Sequence, residues 1–160
     1  ASWDSMARGK TAALFELCVF AGAIVAGRSS EDAMTLGAFG AATGQLFQLQ
    51  DDYLDLVGDK GRDQPATDIA EGKISYPVAW AIEHGETALA TELEAIVRRP
   101  RDATDATMVR RGLVLLRESG ALDATAARLN TLAQEARQGP LGEAAQPLIQ
   151  RILAPIAHAL

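Results

Sequence analysis

The chain has 160 residues, enough to bury a real core, and its 48% hydrophobic and 22% charged residues are ordinary for a soluble protein. A net charge of −6 repels phosphate backbones and argues against nucleic acid as a partner, but it leaves phosphate ligands open, because a bound divalent metal reverses the local sign. Alanine and leucine dominate and aromatics are scarce, which favours helix over sheet.

In chain order, residues 3 to 27 read as a first helix, with Leu14, Leu17, Cys18, Ala21, Ile24 and Val25 on one apolar stripe. Its run "LCVFAGAIVAG" is too short to span a bilayer, and no secretory signal is visible. Cys18 is the one cysteine, so no internal disulfide can form; within that run it is expected to be a small buried hydrophobe in a reduced, cytoplasmic setting. Gly27 stops the helix, and Ser29 or Ser30 can cap a second one over 30–57, with Glu31 and Asp32 in its first turn. At ~1.5 Å per residue that helix is about 40 Å long, and it is expected to pack antiparallel to the first. Gly37, Gly40 and Gly44 each cost roughly 1 kcal/mol inside a helix against alanine, so they imply either close helix–helix approach or room for a ligand.

Residues 58 to 72, "GDKGRDQPATDIAEG", read as a loop long enough to be suspected of function. A short helix then starts in "KISYPVAWAIEHG", with Pro77 in its first turn. Another spans 86–98, "RRPRDATD" connects, and helices of about 104–118, 121–138 and 141–159 follow, the last kinked at Pro155. There is no strand-like alternation, and the expected architecture is a single all-α domain over 1–160, an antiparallel helical bundle.

The stretch "FQLQDDYLDLVGD" is where chemistry concentrates. On a helical wheel Gln48, Asp51, Asp52, Asp55 and Asp59 fall within about 100° of arc, opposite Leu46, Leu49, Tyr53 and Leu56. Like charges at i,i+4 repel, the helix C-terminal end is itself partially negative, and no lysine or arginine is spaced to compensate. Either the stripe is a solvated acidic face, or a hard divalent cation removes both penalties. Lys10 extends the apolar stripe of the first helix; its ammonium either snorkels to water or faces an anionic ligand, and Thr11 follows it with a hydroxyl. Lys73 closes the loop and alone would be a surface lysine. Together, a metal on carboxylates and two lysines suit a diphosphate.

The motifs "GKTAALF", "GQLFQLQDDYLDLVGD" and "DIAEGKISYP", in this order and spacing, resemble the C-terminal half of a trans-prenyl diphosphate synthase of the farnesyl or geranylgeranyl type, strongly over residues 5 to about 84. The resemblance implies a partial isoprenoid synthase fold lacking its N-terminal helices. It implies a Mg²⁺-dependent prenyltransferase that condenses isopentenyl diphosphate head-to-tail with an allylic diphosphate. Asp51 would ligate Mg²⁺, with Asp52 and Asp55 supporting; Lys10 and Lys73 would contact diphosphate oxygens; Thr11 and Gln48 would sit near the reacting carbons. Arg62 stands near the place of the family's loop lysine and would contact the diphosphate in its stead. The family's first aspartate-rich motif lies upstream of "GKT", where this chain has no room for it. The chain alone is therefore expected to be inactive, to need a missing N-terminal segment or partner chain, and to form homo- or hetero-oligomers. An alternative reading is a non-catalytic helical subunit that modulates or scaffolds a partner synthase. A terpene cyclase fits poorly, because "DDYLDLVGD" lacks the asparagine, serine and glutamate of that metal motif.

Overall fold

The computed structural model describes residues 2–57 and 66–157. Among them there is no strand, in line with the all-α expectation. Contacts divide the chain into two compact units, one of residues 1–50 with 128–157 and one of residues 51–127.

The first unit begins with α1 (Trp3–Ala7), a π-helical stretch (Arg8–Ala12) and α2 (Ala13–Val25), where a single regular helix is expected from the sequence. The buried positions explain the π turn. Trp3, Ala7, Ala12 and Ala23 are buried, with Phe15 and Val19 partly so. The step from Ala7 to Ala12 is one residue longer than an α-helical turn allows, and a π turn absorbs the extra residue while keeping both alanines on the packed side.

This register overturns the predicted core stripe. Leu14 is 61% exposed, Leu17 60% and Val25 88%, and Ile24, Ala21 and Cys18 are also exposed. Cys18 is thus not the buried hydrophobe expected. Residues 12–25 are apolar nearly all round, so two faces carry helical spacing and periodicity alone does not choose between them.

The partner helix makes the choice. Gly27, at φ +77°, ends the preceding turn, and the Ser29 hydroxyl caps α3 (Ser30–Val57) by accepting the Asp32 N–H at 3.0 Å. A Cβ on Gly44 would lie 2.7 Å from Ala12 Cα, one on Gly40 would lie 2.7 Å from the Phe15 carbonyl oxygen, and one on Gly37 would lie 3.3 Å from Phe20 Cβ. Contacts that advance along α2 retreat along α3, so the two helices run antiparallel, as expected. The glycines serve close approach, the first of their two readings. In the same unit, Leu129, Leu132, Ala133 and Ala136 are buried on a further helix, and Ile149, Ile152 and Ile156 are buried near the chain end.

The second unit collects α4 (Thr67–Ala70), α5 (Tyr76–His84), α6 (Thr87–Val97), α7 (Ala106–Glu118) and the start of α8 (Ala121–Arg137). A core of Leu56, Ile69, Val78, Leu93, Val97, Leu115 and Leu116 joins them. Within the predicted loop, residues 67–70 are helical because Ile69 is fully buried in that core. The remainder of that loop, 58–65, lies outside the described residues. Pro77 sits in the first turn of α5, and the Asp105 carboxylate caps α7 by accepting the N–H groups of Thr107 at 2.8 Å and Met108 at 2.9 Å. The expected helix 141–159 is broken into a 3₁₀ turn (Gly142–Ala145), α9 (Gln146–Leu153) and a second 3₁₀ turn (Ala154–Ile156) that begins one residue before Pro155.

The glycine contacts predict opposite signs for two like substitutions. Gly44→Ala places a methyl against backbone and should destabilise the chain by about 1–3 kcal/mol. Gly22→Ala, in α2 with nothing within 4 Å of its Cβ position, should stabilise it by up to roughly 1 kcal/mol through helix propensity. Urea denaturation of the two variants measures both.

Candidate functional site

The close approach at Gly44 determines what happens one turn further along α3. Ala12 meets Gly44, so the preceding Thr11 meets Gln48: the Thr11 hydroxyl donates to Gln48 Oε1 at 2.6 Å. Gln48 is only 7% exposed, on a helix otherwise buried by Leu46 and Leu49. Lys10 precedes Thr11 on the π turn and is exposed to solvent. Thus the structure joins two of the residues singled out as catalytic and sets the third beside them in sequence. The π turn itself was not legible in the motif "RGKTA"; only the five-residue step between buried alanines signals it. Single π turns within α-helices recur at functional sites.

The aspartates of the second unit divide by burial. Asp51 is exposed, whereas Asp52 and Asp55 are each 4% exposed. The solvated-face alternative therefore fails for Asp52 and Asp55. Buried carboxylates need donors, and here backbone and hydroxyl groups supply them. Asp55 Oδ1 accepts the Thr67 hydroxyl at 2.7 Å, its Oδ2 accepts the Asp68 N–H at 2.9 Å, and its main-chain oxygen accepts the Ala66 N–H at 2.8 Å. Asp52 Oδ2 accepts the N–H of Tyr76, the first residue of α5, at 2.8 Å. That helix end carries partial positive charge and favours a carboxylate. Ala66 has left-handed backbone dihedrals, φ 58° and ψ 43°, which are unfavourable for a residue with a Cβ; its bond to Asp55 and its complete burial hold it there. None of these partners, 11 to 24 residues away, is legible in the sequence.

Lys73 is also engaged. Its ammonium lies 3.1 Å from Asp68 Oδ1 and 2.7 Å from Glu71 Oε2, and Glu71 in turn accepts from Arg101 at 2.6 Å. The hydrogen bond from Lys73 is the main reason the Glu71 carboxyl sits below its ordinary pKa, and the bond to Glu71 is the main cause that raises Lys73 above its own. Tyr53, on the buried side of α3, has its phenol pushed up first by burial and then by the charge of Asp123.

Among the described residues no three His, Cys, Asp or Glu side chains cluster as a metal site, and no helix is long and apolar enough to cross a membrane. The donor chemistry of the three aspartates fits a hard cation at Asp51, the exposed carboxylate. Oxygens of Asp52 and Asp55 accept protein donors. Arg62 and Asp59 lie outside the described residues.

An all-helical chain with a glycine-packed helix pair and this aspartate-bearing helix has the architecture of isoprenoid synthases. A geranylgeranyl pyrophosphate synthase of solved structure superposes with a TM-score of 0.79 at 26% identity, covering 97% of this chain and 50% of that one. The geranylgeranyl pyrophosphate synthase from Corynebacterium glutamicum, complexed with calcium and isoprenyl diphosphate, superposes at 0.74 with 28% identity over 94% of this chain and 50% of that one. In sequence, the geranylgeranyl diphosphate synthase of Mycobacterium tuberculosis is 38% identical over 72% of this chain and 33% of its own length. The geranylfarnesyl diphosphate synthase of Aeropyrum pernix is 31% identical over 86% of this chain and 42% of its own. The Polyprenyl synthetase family matches residues 1–113, and the chain belongs to that family. It spans half or less of the length of each of these relatives.

Two predictions follow from the buried clasp and the exposed ion pairs. Asp55→Ala removes the acceptor of the Thr67 hydroxyl and of the Asp68 N–H and should cost about 2–4 kcal/mol of stability in urea denaturation, counting roughly 1–3 kcal/mol for each buried hydrogen bond whose acceptor is lost and partial relief by water. For the ion pairs the sign follows from the direction of each shift. The depressed Glu71 carboxyl contributes stability above the ordinary glutamate pKa of about 4.3, and that contribution fades as pH falls through its lower native value. The raised Lys73 contributes below the ordinary lysine pKa of about 10.4 and fades as pH rises through its higher native value. Lys73→Met should therefore flatten the fall in melting temperature on acidification below about pH 4.3, measured as the difference from the parent chain across a pH series.

Proposed function

We propose that this chain provides the diphosphate-activating part of a trans-prenyl diphosphate synthase, a prenyltransferase that joins an allylic diphosphate head-to-tail to isopentenyl diphosphate. The observation that carries the reading is the partly buried Thr11–Gln48 hydrogen bond next to Lys10: packing alone has no need of a polar pair there, and Thr11 lies on the only π turn among the described residues.

In this reading Lys10, Arg62 and Lys73 bind diphosphate oxygens. Lys73 does so by exchanging its contacts with Glu71 and Asp68 for the ligand, which its exposure permits. Asp51 would hold Mg²⁺, and the metal would supply positive charge where the leaving group becomes negative. Asp52 and Asp55 support Asp51 by anchoring the segments that follow α3. The allylic carbon–oxygen bond breaks and diphosphate leaves with the electron pair. The double bond of isopentenyl diphosphate attacks the resulting allylic cation, a carbon–carbon bond forms, and a proton is lost. Thr11 and Gln48 orient oxygen lone pairs toward the cationic carbons; the Gln48 carbonyl holds the Thr11 proton so that the hydroxyl oxygen presents lone pairs. With one aspartate-rich motif in its 160 residues, the chain is proposed to turn over only when a second metal-binding motif is supplied in a longer chain or by a partner. The cytoplasm is the proposed setting.

The alternative, a non-catalytic subunit that modulates a partner synthase, draws on the exposed apolar face of α2, where Leu14, Leu17 and Val25 stand in water. Thermal melting separates the two. Mg²⁺ with geranyl diphosphate should raise the melting temperature of the parent chain more than Mg²⁺ alone, since ligand binding to the folded state adds stability by mass action. Asp51→Asn should abolish that rise while leaving the unliganded chain as stable as the parent or more so, because an exposed negative charge is removed near a helix C-terminal end. An unchanged rise in the variant defeats the assignment of Asp51, and no rise in either protein favours the modulating subunit.

A further inference from the structure

A groove of about 510 Å³ opens in the second unit between the segment that follows α4 and the end of α6. Its volume lies within the range of small-molecule sites. Gly72, at φ +67°, makes one wall possible: a Cβ there would lie 2.7 Å from the Val97 carbonyl oxygen, so the 71–74 segment can lie directly against the α6 terminus.

The lining is divided in character. Ile74, 48% exposed, and the half-buried Ile82 supply apolar surface, with Val97 buried beneath them. Arg98, Arg99 and Arg101 supply the rim. Glu94 is already taken by Arg98, with contacts of 3.0 and 2.6 Å, and Glu71 by Arg101 and Lys73. Both carboxylates of the groove are thus neutralised within it, while Arg99, among the described residues, has no ion-pair partner. Three arginines against two glutamates leave a local excess of positive charge in a chain whose net charge is −6. Guanidinium groups are suited to bidentate contact with phosphate oxygens.

We propose that this groove is a second ligand site that takes an amphiphilic phosphate, its phosphate or diphosphate head on Arg98, Arg99 and Arg101 and its short hydrocarbon tail on Ile74 and Ile82. The prenyl character of the tail rests on the function proposed above; the head and the apolar floor do not. None of the lining residues belongs to the set assigned to prenyl transfer, and the guanidinium groups of the rim supply the charge that an anionic head requires.

The test is calorimetric titration of the 160-residue chain with geranyl diphosphate in excess EDTA, which silences metal-dependent binding. One saturable site is expected. The double variant Arg98→Ala/Arg99→Ala should weaken it at least tenfold, with a melting curve confirming that these exposed positions leave the fold intact, and Asp51→Asn should leave it unchanged. Inorganic diphosphate should bind at least tenfold more weakly than geranyl diphosphate. The proposal is overturned by equal affinity in the arginine variant, or by inorganic diphosphate binding as tightly as the prenylated one. It is also overturned if the free amphiphile fails to bind while anionic phospholipid vesicles sediment the chain through the same arginines, which would assign them to a membrane headgroup. Binding that appears only with Mg²⁺ and disappears in Asp51→Asn would refute the groove and leave the prenyl-transfer reading standing.

Discussion

The contact of α2 with α3 at Gly40 and Gly44 is the constraint from which the first unit follows. Backbone atoms of one helix occupy the space that side chains of the other would fill, 2.7 Å from where each Cβ would be. Such an approach fixes axial register as well as distance, because a shift by one residue would place Phe39 or Ala41 against the partner backbone. With register set, the polar residues one turn beyond the contact have no freedom of pairing, and Thr11 meets Gln48. The π turn belongs to the same constraint. It absorbs the residue that would otherwise rotate Trp3 and Ala7 out of the packed face, and Lys10 and Thr11 ride on it.

The second unit solves a different problem, the burial of negative charge near the end of a helix. Repulsion between aspartates and the partial charge of the helix terminus both act against Asp52 and Asp55. What stabilises them is a set of N–H and O–H donors brought in from the chain that follows, at Ala66, Thr67, Asp68 and Tyr76. Those donors lie at the starts of α4 and α5, where main-chain N–H groups lack partners within the helix, so the carboxylates help to satisfy them. The left-handed conformation of Ala66 is held in place by that exchange. Asp51, one residue before Asp52, lies on the solvent side.

The exposed face of α2 is the other side of the glycine contact. The glycines accept the face bearing Ala12, Phe15 and Val19, and that leaves Leu14, Leu17, Cys18 and Val25 in solvent.

The sequence by itself determined the helical class, the helix boundaries at Gly27, Ser29 and Pro77, the antiparallel pairing of the two long helices and the family. Each of these rests on local signals, on caps, breakers and short motifs with fixed order, that act within a few residues. It also marked Lys10, Thr11, Gln48, Asp51, Asp52, Asp55 and Lys73 as residues whose chemistry exceeds what packing requires. Tertiary structure alone decided which face of α2 is buried, because a segment apolar all round offers two equivalent stripes and only the glycine groove of α3 distinguishes them. It alone separated exposed Asp51 from buried Asp52 and Asp55, because burial depends on donors that arrive from as far as 24 residues along the chain. And it alone brought Arg101 to the Glu71 carboxylate that Lys73 also holds, because a charge on a turn finds a partner 30 residues away through space and leaves no periodic trace in the sequence.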